Sequence, residues 1–365
     1  MPGRPTPPGL APHWDRPLSD FVNLPTPPIE AGLAERHRLY SFLVLAILAS
    51  QWNGNKYGNP GDYGDWRRRQ LMKGIPASLG VHKGGSYLGH NIAAIAVDAR
   101  GTVVDFEFNH NQLFNSSVEH AESRLLRRLF SLSQISDSWG GAQAGGAMAD
   151  TALAPSAGTP FAFAVSAPPA HEPGVGVSAS ARRVSYTELL TDVTIYTSLE
   201  SCAQCSGIMA LADVRQVVYL QPDQGQYLIG NMMYKATTTM GYGARAPEPV
   251  AADAFDLAQF RQLVAAEREF AKRVVKEPFF RRGKTVKRDA AVTSFLCTDL
   301  ALDVAESGAA ELGSSAALVH PDYVRPSRDG KSVAGGLSND QVLTGVRRFL
   351  RYVESQGGRG TAHRA

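Results

Sequence analysis

The spacing of hydrophobic residues predicts a long buried helix followed by a β-hairpin. Residues from Ala31 to about Gln51 become almost continuously apolar in their second half, FLVLAILA, as expected for a helix buried against a sheet. Two short apolar runs, at 91–97 and 102–109, flank the segment DARG. Its glycine, Gly101, tolerates the positive φ of a tight turn, so the two runs are predicted to be paired strands.

Helices and strands alternate in the next part of the pattern. A helix is predicted from about Val118 to Leu132, because apolar residues recur there at helical spacing, namely Leu125, Leu126, Leu129 and Phe130. Strands rich in β-branched residues are predicted at 192–199 and 214–220, with a helix from about Cys202 to Ala212 between them. The order strand, helix, strand predicts an α/β fold with a largely parallel sheet.

Segments of unusual composition interrupt this pattern. Residues 1–28 are rich in proline, and residues 133–185 consist largely of Gly, Ala, Ser and Pro, so a disordered tail and a flexible insertion are expected. Residues 51–90 mix glycines, aromatics and a basic run, with a short helix expected around Asp65 to Lys73. We interpret that segment as an irregular insertion, either a solvated surface loop or a cover over a substrate site.

The C-terminal third of the chain has a weaker hydrophobic pattern. Helices are predicted at three places, 254–276, 290–310 and 339–355. The main domain is therefore expected to span 29–245, followed by a mostly helical extension over 246–356 and a loose tail at 357–365.

The composition fits a chain with one sizeable core. Its 365 residues are 44% hydrophobic and 19% charged, and the net charge of +3 permits contact with nucleic acid without requiring it. The apolar run at 42–49 is too short to span a bilayer and no secretory signal is recognised, so we expect a cytoplasmic location without a membrane partner. Three cysteines do not predict a disulfide framework, and Cys297 is expected to be a buried, inert thiol.

Two short motifs predict a metal site. Cys202 and Cys205 begin a helix after a strand, where backbone N–H groups favour thiolates, and His120 stands two residues before Glu122 at the start of another helix. One imidazole and two thiolates supply the three protein ligands of a catalytic zinc site, whose fourth position holds water. Zinc-bound hydroxide as nucleophile and Glu122 as proton shuttle would hydrolyse an amidine-like carbon of a nucleobase.

The chain from about Ala31 to Leu220 resembles the cytidine/deoxycytidylate deaminase superfamily, most closely the branch of tRNA adenosine deaminases and small cytosine or guanine deaminases. The matching stretches are NIAAIAVDARGTVVDFEFN, EHAESRLL and VTIYTSLESCAQCSGIMALADVRQVVYL. The resemblance implies that 29–245 form a zinc deaminase domain, a three-layer α/β/α sandwich with a mixed five-stranded sheet. It also implies Zn²⁺ on His120, Cys202 and Cys205, and Glu122 as the proton shuttle.

The same resemblance implies a hydrolase that acts on carbon–nitrogen bonds in cyclic amidines and releases ammonia. The substrate would be a nucleobase in a nucleoside, a nucleotide or RNA, as in tRNA editing, and a homo-oligomer is possible. Candidate substrate contacts are Asn109, Ala121, Phe108 and Ser201. Ser201 stands where the family has proline, and serine is a good N-cap residue that can preserve the start of the helix. Asn109 could instead cap its own turn.

Other interpretations of these residues stay open. A Cys-x-x-Cys pair also suits redox chemistry or a structural zinc site. Redox chemistry would leave the H-A-E motif unexplained. A structural zinc site normally needs a fourth protein ligand. The candidate histidines for that ligand lack supporting spacing: His82, His90, His110 and His171. A catalytically silent deaminase-fold zinc-binding subunit or nucleic-acid-binding partner is a further alternative, against which the retained Glu122 argues.

Basic and aromatic residues raise the question of nucleic-acid binding. The arginines Arg124, Arg127 and Arg128, and the basic stretch at 272–288, could contact RNA phosphates or form solvated helix faces. Phe106, Phe108 and Phe114 could stack on a base. Because Phe106 and Phe108 alternate along a strand, they could equally belong to the core.

Overall fold

The computed structural model describes the chain in separate ranges. They are 16–17, 19–23, 28–52, 89–111, 114, 116–130, 190–226, 228–239, 244–276, 280–282, 285–288, 290–314 and 317–355. The insertion at 133–185 and the tail at 357–365 lie outside the described residues. The same holds for most of the tail at 1–28 and nearly all of the insertion at 51–90, including its expected helix.

The first long helix forms where the hydrophobic pattern predicts it. A single helical turn, α1 (Ser19–Val22), lies within the Pro-rich tail, and its Val22 carbonyl accepts a hydrogen bond from Asn231 Nδ2 at 2.7 Å. Helix α2 then spans Ala31–Ser50. Nearly all of its side chains are buried, because α2 contacts the sheet as well as two helices from the C-terminal part of the chain.

Five strands form one mixed sheet. They are β1 (Ala93–Val97), β2 (Val103–Phe108), β3 (Thr194–Thr197), β4 (Gln216–Tyr219) and β5 (Glu248–Ala251), in the order β2-β1-β3-β4-β5. Strand β1 is antiparallel to β2 and β3, whereas β3, β4 and β5 are parallel. The predicted α/β fold with a mixed five-stranded sheet is confirmed.

The expectation of a largely parallel sheet is correct only for β3, β4 and β5. Strands β1 and β2 are joined by a tight turn in which Gly101 has a φ of 97°, as the hairpin prediction required. So short a connection permits only antiparallel pairing of β1 with β2. Strand β1 is also antiparallel to its other neighbour, β3.

Helices cover both faces of this sheet. Successive residues of a strand point to opposite faces. The contacts of Tyr196 and Thr197 on β3 therefore show which helix lies on each face of the sheet. The Tyr196 hydroxyl is 2.8 Å from His37 Nδ1 on α2. The Thr197 hydroxyl donates to Glu122 on helix α3, which includes residues 121–130. Helix α3, with Glu122, therefore lies on the face opposite α2.

The remaining elements follow β3. The described helices after β3 are α4 (Ala203–Leu211), α5 (Ile229–Thr239), α6 (Ala258–Lys276), α7 (Val292–Phe295), α8 (Asp299–Ser314) and α9 (Asn339–Ser355). Short 3-10 turns lie at Gln224–Gln226 and Ala252–Phe255, and β6 (Phe280–Arg282) pairs with β7 (Thr285–Lys287).

C-terminal residues share the core of the main sheet. Strand β5 lies beyond position 245, where the main domain is expected to end, and it completes the sheet. Helices α8 and α9 pack on α2. Gly308 on α8 approaches Leu45 so closely that a Cβ atom on the glycine would lie 2.5 Å from Leu45 Cδ1. Phe349 on α9 packs against Phe106 on β2, with ring centroids 5.6 Å apart.

The helix predicted at 290–310 is divided into α7 and α8. The division lies at Thr298, whose hydroxyl donates to the Phe295 carbonyl and accepts from the Ala301 N–H. Thr298 thus satisfies free backbone groups at the end of one helix and the start of the next.

No helix in the described ranges combines the length and the apolar character that are needed to cross a membrane.

Candidate metal centre and active site

The three predicted metal ligands lie together at the start of two helices. His120 immediately precedes α3, Cys202 is the N-cap residue of α4, and Cys205 lies in the first turn of α4. His120 Nδ1 is 3.3 Å from Cys202 Sγ and 3.7 Å from Cys205 Sγ, and the two sulfurs are 3.6 Å apart. The loops after β2 and β3 therefore bring together residues that are 82 positions apart in the chain.

These donors fit a zinc ion. Zinc binds thiolate sulfur at about 2.3 Å and imidazole nitrogen at about 2.0–2.1 Å in tetrahedral geometry, so ligand atoms of one ion lie roughly 3.5–4 Å apart. The distances among His120, Cys202 and Cys205 are close to that value. Within the described residues, this is the one group of three or more His, Cys, Asp or Glu side chains with ligand atoms mutually within 4.8 Å.

The histidines considered as a fourth ligand do not extend this group. His90 and His110 are described and lie outside it, while His82 and His171 fall outside the described residues. Three protein ligands are the set of a catalytic zinc site rather than of a structural one. Cys297 is buried on the α7–α8 connection, away from the group, as expected of an inert thiol.

The two thiols differ in acidity. The hydrogen bond from Cys205, with that from His120, lowers the pKa of Cys202 to about 4. The neighbouring Cys202 sulfur and burial raise the pKa of Cys205 well above its usual value. Without a cation, the group therefore holds one thiolate and one thiol.

Zinc binding to the metal-free protein is expected to release protons. Only the thiolate form of Cys205 binds zinc, and its raised pKa keeps it protonated at pH 7, so binding should displace at least about one proton per chain. Zinc affinity should accordingly fall as the pH falls. Isothermal titration calorimetry in buffers of different ionisation enthalpy measures this number, and Cys205→Ala is the control that should reduce it. Binding without proton release would show that Cys205 is already a thiolate at pH 7 in the metal-free protein.

Glu122 points from α3 towards the ligand group. Its side chain is only 4% exposed, and burial raises its pKa. The hydroxyls of Thr197 and Ser201 donate to Glu122 Oε1 at 3.2 and 3.1 Å, and Cys205 Sγ lies 3.6 Å from Oε2. A buried carboxyl group with a raised pKa takes up a proton more readily than an exposed one, which suits it to exchange a proton with a bound reactant.

Asn109 and Ala121 support the start of α3. Asn109, at the end of β2, is buried, and its Oδ1 accepts a hydrogen bond from the Ala121 N–H at 2.7 Å. This bond satisfies a free N–H group at the beginning of the helix that carries Glu122. Both residues lie beside His120, and their contacts with substrate stay a prediction.

Two of the three aromatic residues considered for base stacking, Phe106 and Phe108, are buried. Phe106 is fully buried, and Phe108 packs against it with ring centroids 5.9 Å apart on the face that α9 covers. These positions favour a core role for both. Phe114 is 54% exposed, and the Arg124 guanidinium lies 5.2 Å from its ring centroid.

The arginines of α3 form ion pairs with β2 and its neighbourhood, rather than a free basic surface. Arg124 is 6% exposed and pairs with Glu107 at 3.2 Å and Glu119 at 2.7 Å. Arg128 pairs with Glu107 at 2.9 Å and Asp105 at 2.8 Å. The structure places Arg124 and Arg128 against buried acidic side chains of β2, which favours a structural role over a solvated helix face.

Three carboxyl groups that the sequence analysis missed form an acidic border beside the ligands. This acidic border consists of Glu200, Asp223 and Glu267. Glu200 accepts a hydrogen bond from the Asp223 N–H at 2.9 Å, and Glu267 accepts one from Gln221 Nε2. Burial raises the pKa of Glu200 and of Glu267 to about 7, and burial with the nearby Cys202 charge raises that of Asp223.

Comparisons with known proteins give a limited result. No protein-family model and no curated protein matches this sequence. One similar solved structure comes from a study of A-to-I editing by tRNA:A34 deaminases at the wobble position of transfer RNA. It is 16% identical and covers 51% of this chain and 98% of that one, with a TM-score of 0.25.

A second similar structure is guanine deaminase from Nitrosomonas europaea. It is also 16% identical, covers 59% of this chain and 90% of that one, and has a TM-score of 0.25. At these scores neither match assigns a function, so the functional argument rests on the geometry of the site.

Proposed function

We propose that this protein is a zinc-dependent hydrolase that removes an exocyclic amino group from a nucleobase. The observation that carries the proposal is the meeting of His120, Cys202 and Cys205 with the buried carboxyl group of Glu122. Three ligands and one adjacent acid are the parts that hydrolytic deamination of a cyclic amidine requires. The presence of Glu122 at the ligand group argues against a catalytically silent subunit.

The residues of the chain have separate tasks in this proposal. Zinc, when bound, supplies Lewis acidity and makes water nucleophilic at neutral pH. His120, Cys202 and Cys205 would hold it. Glu122 would carry a proton to the ring nitrogen of the base and then to the departing amine. Burial of Glu122 keeps competing water away from this transfer.

The acidic border bears on the form of the substrate. Asp223 faces the charge of Cys202, and Glu200 and Glu267, which interact with Asp223, have pKa values of about 7. The border therefore becomes more negative as the pH rises through 7, and like charges brought together at a binding site cost free energy. We therefore favour an uncharged base or nucleoside over a nucleotide or RNA. The identity of the base, cytosine, adenine or guanine, is left to experiment.

The test combines metal analysis with a substrate panel. Purified protein should contain about one zinc per chain and release ammonia from at least one of cytosine, cytidine, deoxycytidylate, adenosine, guanine and tRNA. Cys202→Ala/Cys205→Ala should lose the metal, whereas the matched Cys297→Ala should keep it. Full zinc in the double variant would refute the ligand assignment. Full zinc in the natural protein without ammonia from any substrate would refute the deaminase proposal.

A further inference from the structure

Ser201 contacts the carboxyl group of Glu122 directly. Ser201 is 3% exposed, and its Oγ donates to Glu122 Oε1 at 3.1 Å. Thr197, the last residue of β3, donates to the same oxygen at 3.2 Å. One hydroxyl from the end of β3 and one from the β3–α4 connection therefore converge on one oxygen of the acid, although Ser201 and Glu122 are 79 positions apart.

The helix-capping role expected for this serine is not present. The N-cap residue of α4 is Cys202, and it makes no side-chain capping bond. The hydroxyl of Ser201 is directed to Glu122 instead. Proline, which the resembled family has at this position, carries no hydroxyl and could not make this bond. The contact is thus a property of this chain and not of the general motif.

The contact leaves the two oxygens of Glu122 in different surroundings. Oε1 accepts both hydroxyl hydrogen bonds, whereas Oε2 lies 3.6 Å from Cys205 Sγ, on the side of the ligand group. Hydrogen bonds to one oxygen limit rotation of a carboxyl group about its final torsion. Such a restraint keeps the second oxygen directed at the place where a proton has to be transferred.

We infer that Ser201 is a positioning residue, which with Thr197 fixes the orientation of Glu122 so that Oε2 faces the reacting groups. This role rests on the proposed deaminase function. It differs from the contact with substrate at the pocket rim that the sequence suggests for Ser201. A positioning residue acts on the chemical step, so its loss lowers kcat, whereas the loss of a contact with bound substrate raises KM.

Kinetics of three Ser201 variants test the role. Ser201→Ala and Ser201→Pro should lower kcat by about 10- to 100-fold with KM nearly unchanged, since a shift on the order of 1 Å in a reacting group can cost about 10²-fold. Ser201→Thr, which keeps the hydroxyl, should restore most of the rate. Ser206→Ala is the matched control, because Ser206 is a buried serine of the neighbouring helix α4 whose hydroxyl donates to the Ser201 carbonyl and not to Glu122.

A second measurement tests the contact without catalysis. In metal-free protein, urea unfolding of Ser201→Ala, Glu122→Ala and the double variant forms a double-mutant cycle. The effects on the unfolding equilibrium constant should be non-additive by about five- to tenfold if the hydroxyl and carboxyl groups interact. Ser206→Ala with Glu122→Ala should be additive.

The outcomes separate this role from the proposed function. Additive effects in the Ser201 cycle, or an effect of Ser201→Ala on KM alone, would overturn the positioning role while leaving the deaminase proposal intact. A natural protein with full zinc and no activity on any substrate would overturn the deaminase proposal, and with it the positioning role.

Discussion

Replacement of Glu122 by glutamine is expected to lower kcat for ammonia release by about 10²–10⁴-fold, the usual contribution of a general acid–base group. Glutamine has nearly the same size and keeps an acceptor for the hydroxyls of Ser201 and Thr197, but it cannot carry a proton. The zinc content should remain that of the natural protein, since Glu122 is not one of the three ligands. Steady-state kinetics with metal analysis of the same sample measure both quantities.

The control for this substitution is Glu269→Gln on the exposed side of α6. It makes the same chemical change on the surface, and its kcat should equal that of the natural protein. If Glu122→Gln retained more than about a tenth of the natural rate, the contribution expected of a proton shuttle would be absent.

Arg124→Met is expected to lower the free energy of unfolding by about 3 kcal/mol, at the lower end of the effect of breaking a buried ion pair. Arg124 lies between Glu107, which is fully buried, and Glu119. Its loss leaves the ion pair between Glu107 and Arg128 in place. Because one ion pair of Glu107 survives, the effect should stay below the maximum for an isolated buried charge.

The matched control is Arg127→Met, one turn of the helix away from the buried pair. Arg127 is 57% exposed and pairs with Glu119 at 2.7 Å. Exposed ion pairs contribute about 0–1 kcal/mol, so this variant should unfold at nearly the natural urea concentration. Urea denaturation followed by circular dichroism compares the two variants. Equal losses of stability in both would mean that burial does not determine the strength of the Arg124 ion pairs.

Much of the sheet and of the ligand group could be predicted from the sequence, because both depend on local patterns. The apolar run of α2, the turn at Gly101 and the β-branched residues of β3 specify their elements with little help from the rest of the chain. The His120–Glu122 and Cys202–Cys205 spacings place each pair at the start of a helix. The metal site can therefore be predicted with one further assumption, that the starts of these two helices lie together in the fold.

The remaining features depend on contacts between distant segments. Strand β5 is short and weakly patterned, and pairing with β4 stabilises it. The role of Asp105 and Glu107 on β2 as ion-pair partners cannot be seen in the sequence, because it depends on Arg128 and Arg124 of α3 lying against them. The hydroxyl of Ser201 is an ordinary capping candidate in sequence and a partner of Glu122 in the fold.

The separation of the metal ligands along the chain has a consequence for the unfolded protein. A zinc ion held by His120 and the two cysteines would act as a cross-link that closes a loop of 82 residues. The entropy lost on closing such a loop grows only with the logarithm of its length, by about 0.6 kcal/mol for each doubling. Lengthening or shortening the Gly- and Ala-rich segment between the two halves of the site should therefore change the cost of assembling it very little. The assembly of the site should therefore depend less on the length of the intervening sequence than on the spacing of the few residues at either end of the loop.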